Sequence, residues 1–243
     1  MYDSRPGMTD ADIETSSAAY ARRFEGPVGR WFLDVQARTM LELLRPRPGA
    51  SVLDVGGGHA QLTGPLVEAG CDVTVYGSAD RCSERVQAWV RSGQARFRSG
   101  PLLQAPWPDG SFDAALAFRL LPHVDGWREL VRELCRLARH VVIVDYPTAR
   151  SANAVSGALF GVKKGIEGDT RPFRVFRDAE VEEAFAAAGF VRTARRPQFL
   201  LPMALHRGLR LASLSRALEA TASIAGLTRA WGSPVILRAE RRG

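Results

Sequence analysis

Residues 51–60, SVLDVGGGHA, set an apolar, β-branched run with one carboxylate inside it directly before three glycines and a histidine. A short apolar run closed by glycines reads as a buried strand that turns sharply into the next element. Strands apolar on both faces belong to parallel sheets, and parallel strands need crossover segments between them. The chain supplies both. CDVTVYG (71–77), ARFRS (95–99), FDAALAF (112–118) and HVVIVDY (140–146) read as further strands, and they alternate with segments of helical period. Before the last of them, Trp127, Leu130, Val131, Leu134 and Leu137 recur at spacings of three and four, the stripe of a helix packed on a sheet. The expected class is α/β, with a doubly wound, seven-stranded, mostly parallel sheet.

The flanks complete this plan. TSSAAYARRFEGPVGRWFLDVQARTMLELLRPRPG reads as two helices parted at Gly26-Pro27, an N-terminal helical cap over residues 1–48. The strand-rich core follows over 49–148. Residues 149–177 are weakly periodic and rich in small and basic residues, the pattern of a long lid connection. RDAEVEEAFAAAGF reads as a helix with Asp178 as its N-cap and Gly189 as its stop. A strand near Val191–Leu200, a helix pair over about His206–Leu227 and a last strand, PVILRAE, finish a C-terminal part over 178–243. All 243 residues are expected to form one domain.

Composition removes several classes. Hydrophobic residues make up 46% and charged residues 24%, enough to bury a core and unlike a disordered chain. No apolar run has the length of a membrane span, and MYDSRPGMTDADIE does not resemble a secretion signal, so a cytoplasmic location is expected. Cys71, Cys82 and Cys135 are far apart and read as small buried hydrophobes, and no metal site is expected. The net charge of +7 is concentrated in the tail, where ten arginines follow from Arg192 against Glu219 and Glu240. Without an interleaved aromatic stripe, a solvated basic face is the plainer reading and nucleic acid is not the expected partner. Neither is a membrane surface, and a homodimer is left open.

The glycine turn asks for a ligand that the backbone can approach closely. The dinucleotide fingerprint would need a third glycine where Gln61 stands, which disfavours a nicotinamide cofactor. Asp54, just ahead of the glycines, suits a ligand with positive charge better than a pyrophosphate. At this point SVLDVGGGHA resembles the first motif, VLDxGxGxG, of the class I S-adenosyl-L-methionine (SAM)-dependent methyltransferases. The resemblance continues in PWPDGSFDAALAFRLLPHVDGWRELVRELCRLARHVVIVDYP, Pro106 to Pro147, and in FRVFRDAEVEEAFAAAGF, and it covers about Tyr20 to Val191. It implies a Rossmann-like methyltransferase fold, SAM as cofactor and a small-molecule acceptor. It further implies that Asp54, Gly56, Gly57 and Gly58 form the loop at the methionine moiety, while His59 in that loop either contacts the cofactor or faces solvent. Phe118 and Arg119 then lie at the fourth strand tip, and Tyr20 closes over the sulfonium.

The pattern is also broken. The family's ribose-binding acid at the end of the second strand maps onto Gly77, its adenine-side acid onto Pro101, and its third glycine onto Ala60. Either adenosine is held by Ser78, Asp80, Leu102 and Leu103, or the chain is a non-methylating relative that binds or regulates. An RNA methyltransferase is a third reading, resting on the basic tail alone. For methyl transfer to oxygen or carbon, His123 and Tyr146 are the base candidates, with Tyr20 beside the reacting centre. His206, Leu205, Leu209, Leu214 and Leu218 of the C-terminal insert are expected to line an apolar acceptor pocket. Lys163, Lys164, Arg171 and Arg174 would bring positive charge to it, favouring an acceptor with an acid or phosphate.

Overall fold

The computed structural model describes residues 11–151, 173–209 and 211–243. Strands β1 (Ser51–Val55), β2 (Asp72–Gly77), β3 (Ala95–Ser99), β4 (Phe112–Ala117) and β5 (Ala138–Tyr146) run parallel, in the expected places to within two residues. Strands β6 (Phe190–Phe199) and β7 (Ser233–Arg241) complete a seven-stranded sheet of order β3-β2-β1-β4-β5-β7-β6, with β7 antiparallel to both its neighbours. The chain reverses direction along the sheet between β1 and β4. In such sheets ligands bind at the strand ends beside that reversal, which is where SVLDVGGGHA ends.

Helices cover both faces. On one face Leu53, Val55, Ala115 and Val142 pack against helix α6 (Trp127–Leu137) and helix α7 (Asp178–Ala187). The five stripe residues of α6 are each no more than 2% exposed, as their spacing requires. On the other face Val52, Val73, Val75, Leu116 and Ile143 pack against helix α3 (Gly26–Leu44) and helix α4 (Thr63–Glu68). A short helix α5 (Gln87–Arg91) precedes β3.

The cap is more broken than its sequence suggests. Two short helices, α1 (Ala11–Thr15) and α2 (Ala18–Ala21), precede the long α3, which begins at Gly26 with Pro27 in its first turn. Asp178 is not the N-cap of α7 but its first residue, after Arg177. Its carboxylate instead accepts from Tyr146 Oη at 3.1 Å, Thr148 Oγ1 at 3.0 Å and Arg195 Nε at 2.8 Å. The C-terminal insert holds three helices rather than two, α8 (Met203–Leu209), α9 (Ala212–Ile224) and α10 (Leu227–Trp231). Most of the 149–177 connection, with Lys163, Lys164 and Arg171, lies outside the described residues.

Candidate active site

Strand β1 carries Asp54 into the interior, where it is 1% exposed, and the chain turns at once through Gly56 at φ +72°. The Gly56 N–H donates to Tyr76 O at 2.8 Å, which ties the turn to the tip of β2. Gly57 then passes so close to the carboxylate that a Cβ there would lie 2.2 Å from Asp54 Oδ2. Only glycine lets the backbone fold over the acid in this way. Asp54 Oδ1 is buried without a hydrogen-bond partner, and burial pushes the carboxyl up to about 7. The acid is therefore poised between charged and neutral forms, and a cation beside it would draw it to the charged one. Ala60, at the position of the family's third glycine, has φ +65°. The family's glycine there fits the left-handed backbone, which alanine adopts at a cost of about 1 kcal/mol.

At the tip of β4, Arg119 is also left-handed, with φ +58°. Its N–H donates to Asp145 Oδ1 at 2.5 Å, its guanidinium donates to Gln36 Oε1 at 2.6 Å, and the guanidinium lies 3.9 Å from the Phe24 ring centroid. A strained conformation held from three sides in this way marks a site where position matters. Asp145, at the end of β5, is 3% exposed, and its carboxyl is pushed up to about 6 by burial, against the N–H and charge of Arg119. Tyr20 and Phe24 pack edge-on to the ring of His59, at 5.6 and 5.4 Å. Burial, with Arg119 and Arg85 nearby, pulls His59 down to about 3. His59 is thus a neutral, enclosed ring rather than a solvent-facing one.

Beyond this cluster opens a cavity of about 680 Å³, lined on the polar side by Tyr20, Gln36, Arg119, His123 and Asp145. Its apolar wall includes Phe24, Phe32, Pro122, Phe173, Leu201 and Met203. Tyr20 and His123 thus share one cavity. Tyr146 does not join them. It is wholly buried, its hydroxyl donates to Asp178, and burial together with that acid pushes its ionisation upward, which does not suit a base. Successive residues of a strand point to opposite faces, so Asp145 faces the cavity because Tyr146 does not. His206 is also fully buried, bonded through Nε2 to Glu219 Oε1 at 3.0 Å, and lines no part of the cavity. Leu205, Leu214 and Leu218 are exposed and Leu209 is half-buried, and none of the four lines the cavity; Leu201 and Met203 do that instead.

The residues proposed for adenosine lie around the β2 and β3 tips. Ser78 donates its N–H to Asp12 Oδ2 at 2.8 Å, and Asp80 accepts from Ser99 Oγ at the end of β3. Leu102 is buried in the core beside Leu103, and Phe118 is buried against the opposite face of the sheet.

Residues 30–194 match the family model of a methyltransferase domain. The chain belongs to the SAM-dependent methyltransferase family. This methyltransferase is 32% identical over 203 residues to a ubiquinone/menaquinone biosynthesis C-methyltransferase of Rhizobium johnstonii, covering 71% of this chain and 77% of that one. It is 28% identical over 148 residues to an O-methyltransferase of Pyrenophora dematioidea, covering 57% of this chain and 55%, about half, of that relative's length. Among solved structures its fold is similar to magnesium protoporphyrin IX methyltransferase from Synechocystis with bound S-adenosylhomocysteine (SAH). There the TM-score is 0.65 at 14% identity, over 96% of this chain and 100% of that one. It is also similar to a geranyl diphosphate methyltransferase in complex with GPP and sinefungin, with a TM-score of 0.60 at 17% identity over 86% and 78% of the two chains.

The residues of the methyltransferase fit its cofactor. Asp54 Oδ1, Ser78 Oγ and both ring nitrogens of His59 are buried without hydrogen-bond partners around the glycine turn. Buried polar groups are ordinarily paired, so this concentration at one turn marks a place for a polar ligand. On sequence alone Tyr146 is chosen and Asp145 is missed, although strand alternation is the one available signal for it. Gln36, Phe24 and Phe32 sit within a helical pattern that gives no sign of which of its residues face a site.

Proposed function

We propose that this methyltransferase acts on a small, partly hydrophobic acceptor at oxygen or carbon, bound in the cavity beneath the N-terminal cap. The observation that carries the reading is the cavity itself, in which an apolar wall meets Arg119, His123 and Asp145 on one side. When bound, SAM supplies a methyl group on a cationic sulfonium, transferred by in-line displacement. Asp54 and the turn Gly56, Gly57 and Gly58 hold its methionine end, and Tyr20 offers an aromatic face to the sulfonium. Ser78, Asp80, Leu102 and Leu103 hold its adenosine end.

The rest of the work is positioning, exclusion of water and removal of one proton. Asp145 is the base. It reaches the cavity, it is held by the Arg119 N–H, and its carboxyl near 6 is ionised at neutral pH while remaining basic enough to accept a proton. His123 lies on the same wall as a second acceptor. Phe24, Phe32 and Met203 enclose an apolar body of the substrate, and Arg119 pairs with an acid or phosphate on it. Arg174, expected to bring charge to the pocket, instead pairs with Glu180 at 3.0 Å outside the cavity lining. The named activities of the relatives, on a quinone-pathway carbon in one case and on oxygen in another, are consistent with this range.

The test is incubation with methyl-labelled SAM and a panel of carboxylated or phosphorylated aromatic and prenyl compounds, read by mass spectrometry. Label in such a compound at oxygen or carbon is the expected result. Label only in amines, or only in RNA, would contradict the reading.

A further inference from the structure

The tip of β2 lacks the acid that the family pattern places there, yet a carboxylate stands beside it. Asp12, on cap helix α1, lies against Gly77 with Oδ2 accepting the Ser78 N–H at 2.8 Å. A Cβ built on Gly77 would be 3.2 Å from that same oxygen and 2.8 Å from Cys82 Cβ. The space in which a side chain rooted at 77 would begin is therefore taken by Asp12 and Cys82. Glycine at 77 and aspartate at 12 are two halves of one arrangement.

We infer that Asp12 supplies from the cap the ribose-binding carboxylate that position 77 cannot carry, accepting the two hydroxyls of the SAM ribose; this rests on SAM as the cofactor. Asp12 is fully buried, and its Oδ1 has no hydrogen-bond partner. A buried carboxylate with one oxygen unsatisfied is costly, and a vicinal diol brings two O–H donors to it. Ser78 Oγ, next in sequence to Gly77, is likewise buried and unpartnered.

The cap is built to hold this acid in place. The Asp12 carbonyl accepts from Thr15 Oγ1 at 3.1 Å and from the Ser16 N–H at 2.9 Å, which fixes the single turn that carries it. Ser16 then rests directly on the glycine turn, since a Cβ on Gly58 would lie 2.2 Å from Ser16 Oγ. Gly58 is thus glycine to admit the cap, and the cap brings the acid. One contact couples the loop beneath the methionine end to the group that holds the ribose.

Calorimetric titration tests the assignment with SAH and its 2′,3′-dideoxyribose analogue as probes, on the full chain and on Asp12→Ala. The wild type should bind SAH roughly ten- to a hundredfold more tightly than the dideoxy analogue, the contribution of a charged bidentate acceptor. Asp12→Ala should lose that factor for SAH and bind the analogue within about twofold of the wild type. Equal weakening of both probes would make Asp12 a structural residue and overturn the inference, as would tighter SAH binding by the variant. Asp12→Asn keeps an acceptor for Ser78 should the alanine variant not fold, and it should lose affinity for SAH alone. Wild-type protein that binds SAH without preferring the hydroxyls removes Asp12 only. Wild-type protein that binds neither probe at millimolar concentration removes the SAM reading and Asp12 with it.

Discussion

At the scale of single residues the site depends on carboxylates held where water cannot reach them. Asp145 shows what this does for chemistry. Burial raises its carboxyl to about 6, so the fraction available as a base falls as pH drops through that value. The rate should therefore show an acid limb near pH 6. Asp145→Asn, which keeps an acceptor for the Arg119 N–H, should remove the limb and lower kcat by about 10²- to 10⁴-fold while SAM affinity changes little. A limb that survives the substitution moves the base to His123. The residue-level signal in the sequence was uneven for a physical reason. Asp54 was legible because a carboxylate ahead of a glycine turn has few other uses. Asp145 and Tyr146 were adjacent and both reactive, and only the strand's phase decides which one faces the cavity. Asp12 carried no local signal, because its meaning depends on a contact with Gly77, 65 positions away in the sequence.

At the scale of elements, the sheet and α6 follow their hydrophobic periods closely, whereas the C-terminal insert reverses its own. Helix α9 turns Ser215, Glu219 and Ala222 inward and leaves Leu214 and Leu218 exposed. Glu219 explains the inversion. Its carboxylate accepts the N–H groups of Leu200 and Leu201, both at 2.9 Å, and pairs with His206. Those bonds fix the segment that sets Leu201 and Met203 in the cavity wall. A hydrophobic pattern cannot reveal this, because the interaction that orients the helix is polar. Glu219→Gln retains one acceptor where three donors converge, and should cost about 1–3 kcal/mol of stability in denaturant unfolding. It should also raise the acceptor KM several-fold while leaving SAM affinity within about twofold. A parallel loss of SAM affinity would show that the insert does more than position the acceptor wall.

At the scale of the whole molecule, the fold gathers the tips of β1, β2, β4 and β5 at one edge and closes them with the cap. Four of the ten tail arginines are engaged within the chain. Arg192 pairs with Glu182, Arg195 with Asp178 and Arg238 with Glu240, while Arg241 donates to the carbonyls of Cys135 and Ala138 at the end of α6. Arg192 and Arg195 thus tie β6 to α7, and Arg241 ties β7 to the end of α6. What the molecule concentrates is unpaired polarity around one glycine turn, with Asp54 beneath it. SAM affinity should therefore rest on Asp54 more than on any other side chain of the turn. Calorimetric titration of SAM into the wild type and Asp54→Ala tests this most directly. A loss of tenfold or more on substitution is the predicted result, since a buried charge partner of the cofactor is removed. Affinity unchanged within about twofold would contradict the account of the site.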